Sequence, residues 1–191
     1  MVMHQQKRQQ APGELEAVRA FVNTLDLEQG TEALDTPAAL GEWLAAHELV
    51  DAPVRVTRGD LRAAHEVREA LRDLLEARTH DAPATAAAGT LDAAARRARL
   101  ALRFDAAGDG RLTAGAGGVA GALGRLLAIV QGAMATGTWE RLKVCRQESC
   151  RWAFYDNTKN RSGVWCNMAS CGNRAKARAY RARRAPERAA R

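Results

Sequence analysis

The chain has 191 residues and a mass of 20.6 kDa, room for one or two small domains. Hydrophobic residues make up 47% and charged residues 27%, which excludes a globally disordered chain. The net charge of +7 is uneven: residues 1–140 hold 15 Lys and Arg against 19 Asp and Glu, whereas residues 141–191 hold 14 against 3.

Residues 1–12, MVMHQQKRQQAP, carry no apolar stretch of the kind a secretion signal needs, so they read as a disordered lead and the protein as cytoplasmic. Residues 13–137 read as a mostly helical domain. Leu15, Val18, Val22 and Leu25 keep helical spacing, with Phe21 beside them. Thr36 then Pro37 is a helix start, and Leu40, Trp43 and Leu44 follow on one face. Thr57-Arg-Gly-Asp60 fits a capping box ahead of Leu61, Ala64, Val67, Leu71, Leu74 and Leu75, the longest amphipathic pattern in the chain. A short Ala-rich helix is expected at 90–98. Leu100, Leu102 and Phe104 alternate as a strand, Asp105 to Gly110 reads as a turn, and Arg111-Leu-Thr113 returns as a second strand. Val119, Leu123, Leu126, Leu127, Val130 and Met134 define a last helix, charged only at Arg125 and central to the core. No run is expected to be long and apolar enough to span a membrane.

Two motifs in this region are set aside. Gly115-Ala-Gly117-Gly-Val-Ala120 fits a dinucleotide-binding pattern but lacks a βαβ unit around it. His65-Glu66 begins like a zinc-protease motif, but position 69 is Glu. No serine sits in a nucleophile elbow, and no enzyme is expected.

Residues 138–186 form a small basic module after the Gly137-Thr138 joint, and 187–191 a frayed tail. All four cysteines fall here, spaced Cys145-x4-Cys150-x15-Cys166-x4-Cys171. Two short pairs about fifteen residues apart suit one tetrahedral, structural Zn2+. About fifty residues bury too little apolar surface to fold unaided, and metal binding supplies the missing free energy. Two disulfides or free buried thiols are the alternatives, the first disfavoured in a reducing compartment. Arg146, Arg151 and Arg174 neighbour the ligands and could offset a −2 site. The four histidines, His4, His47, His65 and His80, lie far upstream and are not needed as ligands.

The module reads Trp139-Glu-Arg-Leu-Lys-Val-Cys145, then Cys150-Arg-Trp-Ala-Phe-Tyr-Asp156-Asn-Thr-Lys-Asn160-Arg-Ser162, then Trp165-Cys166-Asn-Met-Ala-Ser-Cys171-Gly172-Asn173-Arg174. It resembles the CGNR zinc finger, named for the last tetrapeptide. Upstream, Phe21-Val-Asn-Thr24, Thr36-Pro37 leading into Trp43-Leu44, and the strand pair around Asp109-Gly110 are similar to the ABATE domain that usually accompanies it. An acidic residue often precedes the Phe-Val-Asn-Thr run in that family; here Ala20 stands there. The resemblance implies a stress-induced bacterial transcription regulator whose finger binds DNA and whose N-terminal domain senses a small-molecule effector.

After Cys171 the chain is rich in Ala and Arg, strong helix formers, up to Pro186. On a helix, Arg174, Arg178 and Arg181 share one stripe, Lys176, Tyr180 and Arg183 an adjoining one, and Ala175, Ala179 and Ala182 a third that could pack on the zinc core. Arg178, Arg181, Arg183 and Arg184 are candidate phosphate contacts, with Lys176 on the same rod. Asn173 and Arg174 either read base edges or support the zinc site. Trp152, Phe154 and Trp165 are expected in a mini-core. Lys159 to Gly163 is a basic turn, either a phosphate clamp or a plain loop. Asn23, Thr24, Trp43 and His65 are candidate lining for an effector cavity.

The fold expected is mainly α (α+β): a helical domain with a small antiparallel hairpin, then a four-cysteine finger ending in a basic helix. The function expected is DNA-binding regulation. The competing reading is a protein-interaction module that docks an acidic partner. A homodimer is expected on the DNA reading, because one finger spans few base pairs.

Overall fold

The computed structural model describes residues 10–189, with side chains through Arg183. His4, the rest of residues 1–9, residues 190–191 and the side chain of Arg184 lie outside the described residues.

Helix α1 spans Leu15–Val22 and buries Leu15, Val18, Phe21 and Val22. It stops before Leu25, which was expected to extend it. Leu25–Asp26 instead form strand β1, paired antiparallel with β2, Thr31–Glu32. The turn between them is tied by Asp26, whose Oδ1 accepts from the N–H groups of Glu28 and Gln29 at 2.9 and 3.0 Å. The ordered chain also begins earlier than residue 13. Ala11 is buried, and its N–H donates to Glu16 at 2.7 Å.

Helix α2, Pro37–Ala46, is capped by Thr36, whose hydroxyl accepts from the Ala39 N–H, with Pro37 at the first position. Helix α3, Arg58–His80, carries the complete Thr57–Asp60 capping box and ends on Asp81 in the left-handed region. Helix α4, Thr85–Arg97, starts five residues before the expected 90. Strands β3, Leu100–Phe104, and β4, Gly110–Ala114, form a hairpin with Leu102 opposite Leu112. Helix α5, Gly118–Ala135, packs on this hairpin at Gly124, where a Cβ would lie 2.5 Å from that of Ala98 and 3.0 Å from that of Ala114.

Helix α5 corrects one expectation. By length and composition alone it could cross a membrane. Here it supplies Val119, Leu123, Leu126 and Val130 to the core, packed against α1, α3 and α4.

A 3-10 turn, Trp139–Arg141, leads into β5, Leu142–Val144, which pairs antiparallel with β6, Ala153–Tyr155. A π-turn, Met168–Gly172, runs into helix α6, Asn173–Ala189. Backbone helix continues past Pro186 as far as Ala189, so neither the proline nor the tail expected at 187 ends it there.

The two regions share a core. Trp139, Leu142, Val144, Ala153 and Tyr155 belong to the same buried cluster as Leu15, Phe21, Leu71 and Leu126. A second cluster contains Phe154 and the four cysteines, with Trp152 and Trp165 packed against it. The β5–β6 hairpin therefore stands between two cores: alternation along β6 sends Ala153 and Tyr155 one way and Phe154 the other.

Buried polar groups lock the hairpin to the helices. Arg72 on α3 is fully buried; it donates to the carbonyls of Val22 at 2.6 Å, Leu25 at 3.2 Å and Arg151 at 3.1 Å, and to Glu69 at 3.0 Å. One turn earlier, Arg68 donates to Glu32 at 2.7 Å and to the Thr24 hydroxyl at 3.2 Å. Such donor-rich cations suit helix ends, where carbonyls lack partners.

Candidate metal centre and cationic helix

Each half of the centre is a tight turn on a defined element. Cys145 follows β5, and its N–H donates to the Trp152 carbonyl at 2.9 Å, extending the ladder by one step. The chain then folds over Gln147, whose carbonyl accepts from Cys150 at 2.8 Å and Arg151 at 3.0 Å. Arg151 takes a φ of 45° to complete this turn. The second half is organised by Asn167, whose Oδ1 accepts from Ala169 and Ser170. Gly172 lies so close to Met168 and Trp165 that a Cβ there would sit 2.4 Å from the Met168 sulfur.

All four sulfurs are buried and lie within 4.8 Å of one another. Cys150 and Cys166 Sγ are 3.7 Å apart, Cys166 and Cys171 Sγ 3.8 Å. Four Zn–S bonds of about 2.3 Å at tetrahedral angles put sulfurs about 3.8 Å apart. A disulfide needs about 2.05 Å, and all four cysteines are free. The four cysteines are thus positioned to hold one structural zinc.

Crowding sets the protonation of the thiols when no ion is bound. Cys145 falls to about 2, because the Cys150 and Cys166 thiols donate to it. Cys150 is pushed up to about 12 by the thiolate of Cys145, and Cys166 is raised further by Cys145 and Cys150. One thiolate is stable among its neighbours; four need a divalent cation.

Arg174 is the cation that supports the centre. Its Nη2 donates to Cys171 Sγ at 3.1 Å and to Glu28 Oε2 at 3.0 Å, while Nη1 pairs with Glu28 Oε1. Glu28 lies in the β1–β2 turn, so this guanidinium joins a zinc ligand to the helical region. The pairing holds the Glu28 carboxyl below its ordinary range and raises Arg174. Arg151 does not face the sulfurs as expected; it pairs with Asp73 at 2.6 Å and with Glu76 on α3. Arg146 is exposed, with no ion pair among the described residues.

Helix α6 leaves the centre as a cationic rod. From Asn173 to Arg183 it has five cations and no acid, and all but Arg174 and Ala175 are exposed. Two expectations need correcting. At about 100° per residue the two cationic stripes fall on opposite sides of the helix rather than side by side. Ala179 and Ala182 are exposed, so the alanine stripe does not pack on the zinc core. The stripe containing Arg174 turns toward the body: Arg178 donates to Gln147 Oε1 at 2.5 Å, whereas Arg181 Nε donates to the Ala177 carbonyl within the helix at 3.3 Å. Lys176 and Arg183 share the opposite stripe with Tyr180. Asn173 donates to the Ala169 carbonyl at 3.1 Å and is engaged in the π-turn.

The model of the CGNR zinc finger matches residues 141–184. The ABATE model, described as "putative stress-induced transcription regulator", matches residues 15–137. The chain belongs to the ABATE family. No curated protein matches it.

Within the ABATE region, none of the four residues considered for an effector cavity lines the cleft of about 480 Å3 between α3, α4 and α5. The Asn23 amide bonds the backbone of Ala153. The Thr24 hydroxyl is buried between the Phe21 carbonyl and Arg68. Trp43 stacks on His47 at 3.9 Å and tilts against Phe21 at 5.3 Å. His65 Nε2 lies 2.8 Å from the Leu34 carbonyl. All four make hydrogen bonds or ring contacts within the fold.

The ABATE–CGNR chain also has structural residues that sequence reasoning passed over. Asp156, buried, accepts from Lys143 Nζ at 2.7 Å, Gly163 N at 2.8 Å and Thr158 N at 3.0 Å, closing the long loop between the cysteine pairs. Burial pushes its carboxyl up, but these donors outweigh it and hold the group at about 2. The lone acid in a basic loop was the signal available for it.

Proposed function

We propose that this ABATE–CGNR protein is a transcription regulator that binds DNA through α6. The observation that carries the reading is the acid-free, exposed run of α6, fixed at its base by Cys171 and Arg174. A major groove admits one helix, and a rigid cationic helix pays little ordering entropy on entering it. Lys176 and Arg183, with Tyr180 between them, take the duplex-facing role; Arg174 and Arg178 hold the helix in place. Arg184 extends this set in sequence. The regulatory signal enters at the cleft of about 480 Å3 between α3, α4 and α5, floored by Val67, Val119 and Leu123 and edged by Glu66, Thr90 and Arg97.

Fluorescence anisotropy of the zinc-loaded chain with labelled duplexes, repeated at several salt concentrations, tests the reading. The expected result is saturable binding whose log affinity falls linearly with log salt. Absence of binding to any duplex, with binding to an acidic protein surface instead, would replace DNA by the protein-docking reading.

A further inference from the structure

A basic concavity lies at the seam between α3 and the finger, away from the cleft between α3, α4 and α5. It has a volume of about 240 Å3 and is walled by Arg78 and Thr79 from the end of α3, Lys143 from β5, Arg146, and the Arg161–Val164 loop. Four cationic side chains and a serine hydroxyl line it, and no carboxylate does. The two acids nearby are already paired: Asp156 with Lys143, and Glu140 with Arg161.

The cations are not equivalent. Lys143 is consumed, since its ammonium donates to Asp156, to the Gly163 carbonyl at 3.2 Å and to the Arg161 carbonyl. Arg78 spends one N–H on the Trp139 carbonyl at 2.9 Å and lies 5.8 Å from the Trp139 ring centre. Its remaining N–H groups have no partner among the described residues, and burial disfavours its charge. The Arg146 backbone is pinned by its bond to the Val164 carbonyl at 3.1 Å, which holds the root of its side chain at the rim. Ser162 is fixed through its N–H to Thr158 Oγ1 at 3.1 Å, leaving the hydroxyl to donate.

Three guanidinium groups, from the end of α3, the turn after β5 and the 161–164 loop, with a hydroxyl from that loop, match a multivalent tetrahedral oxyanion better than a planar carboxylate, which offers fewer acceptor positions; Arg161 gives one N–H to Glu140 and keeps the others. We propose that this seam pocket binds one phosphate group, with Arg78, Arg146, Arg161 and Ser162 as donors. The inference stands apart from DNA binding by α6. A backbone phosphate of a duplex and a free phosphate-bearing small molecule would be recognised by the same chemistry.

The test uses the full zinc-loaded chain and inorganic phosphate, followed by amide NMR at Gly163 and Val164. Arg146→Gln with Arg161→Gln is the site variant. Arg103→Gln with Arg111→Gln, on the β3–β4 hairpin, is the charge-matched control. Saturable shifts are expected, with the half-saturating concentration raised at least tenfold in the site variant and unchanged in the control. No saturable shift, or equal weakening in both variants, overturns the proposal. The same proteins titrated with duplex identify the source. A salt slope reduced by about one in the site variant alone assigns the pocket to DNA; an unchanged slope assigns it to a free phosphate-bearing ligand. Should the chain bind no duplex at all, the phosphate titration still decides the pocket.

Discussion

The side-chain amide of Asn23 hydrogen-bonds both backbone groups of Ala153, donating to its carbonyl at 2.8 Å and accepting from its N–H at 2.7 Å. A residue at the end of α1 thus completes the free edge of β6. An edge strand whose partner is a side chain is protected from pairing with other chains.

Asn23→Asp keeps the size and the acceptor but cannot donate to the Ala153 carbonyl. It should destabilise the zinc-bound chain by about 1–3 kcal/mol, as expected for a buried carbonyl left unpaired. Denaturant unfolding with Asn23→Ala alongside checks it. An Asp variant as stable as the parent would mean that the donated bond is of no consequence.

Arg72→Leu leaves the carbonyls of Val22, Leu25 and Arg151 without this donor. A buried acceptor left without its donor costs about 1–3 kcal/mol. Thermal unfolding should show a clear drop, larger than that for Arg125→Leu, whose partner Asp51 is solvent-exposed.

Cys166→Ser should abolish the one-to-one zinc stoichiometry measured by elemental analysis. Because β5–β6 belongs to both clusters, the loss should lower the unfolding midpoint of the helices too, followed by far-ultraviolet circular dichroism. Helices that melt at the parental temperature after metal loss would separate the two cores.

Acid should loosen the loop between the cysteine pairs. Asp156 is held at about 2 in the folded chain, against an unperturbed 3.8. A depressed carboxyl contributes its stability fully above the unfolded value and loses it as pH falls through the folded one. The contribution is therefore intact above about pH 4 and fades toward pH 2. Asp156→Asn should lower stability at neutral pH and flatten this acid limb, read from unfolding midpoints between those values.

Lys176→Gln with Arg183→Gln should reduce the salt slope of duplex binding by about two while the fold and the zinc are retained. Arg174→Gln should instead disturb the centre, visible in the cobalt-substituted chain as an altered thiolate charge-transfer band. If the Lys176–Arg183 variant bound like the parent, α6 would not be the reading element.

Local chemistry explains what was legible in the sequence. Thr36-Pro37, the Thr57–Asp60 box, the alternation of Leu100, Leu102 and Phe104, and the cysteine spacing each fix an outcome within a few residues. Strands β1 and β2 escaped because two residues carry no periodicity. Helix α4 was read short because alanines define no face at its start. Arg68 and Arg72 carry no sign of burial in the sequence; the Thr24 hydroxyl and Glu32 brought to Arg68, and the carbonyls of Val22, Leu25 and Arg151 brought to Arg72, make it favourable. Arg151 neighbours a ligand in sequence yet reaches Asp73, since the left-handed turn at its own backbone redirects it.

The double-faced hairpin also limits how this finger can be used as a part. Excised at residue 138 and grafted onto a foreign protein, it would carry Leu142, Val144, Ala153 and Tyr155 into water and lose the surface that covers them. It is not a transplantable cassette. Engineers who want its arginine rod must bring the helices along, and any reshuffling of such genes must keep the join intact.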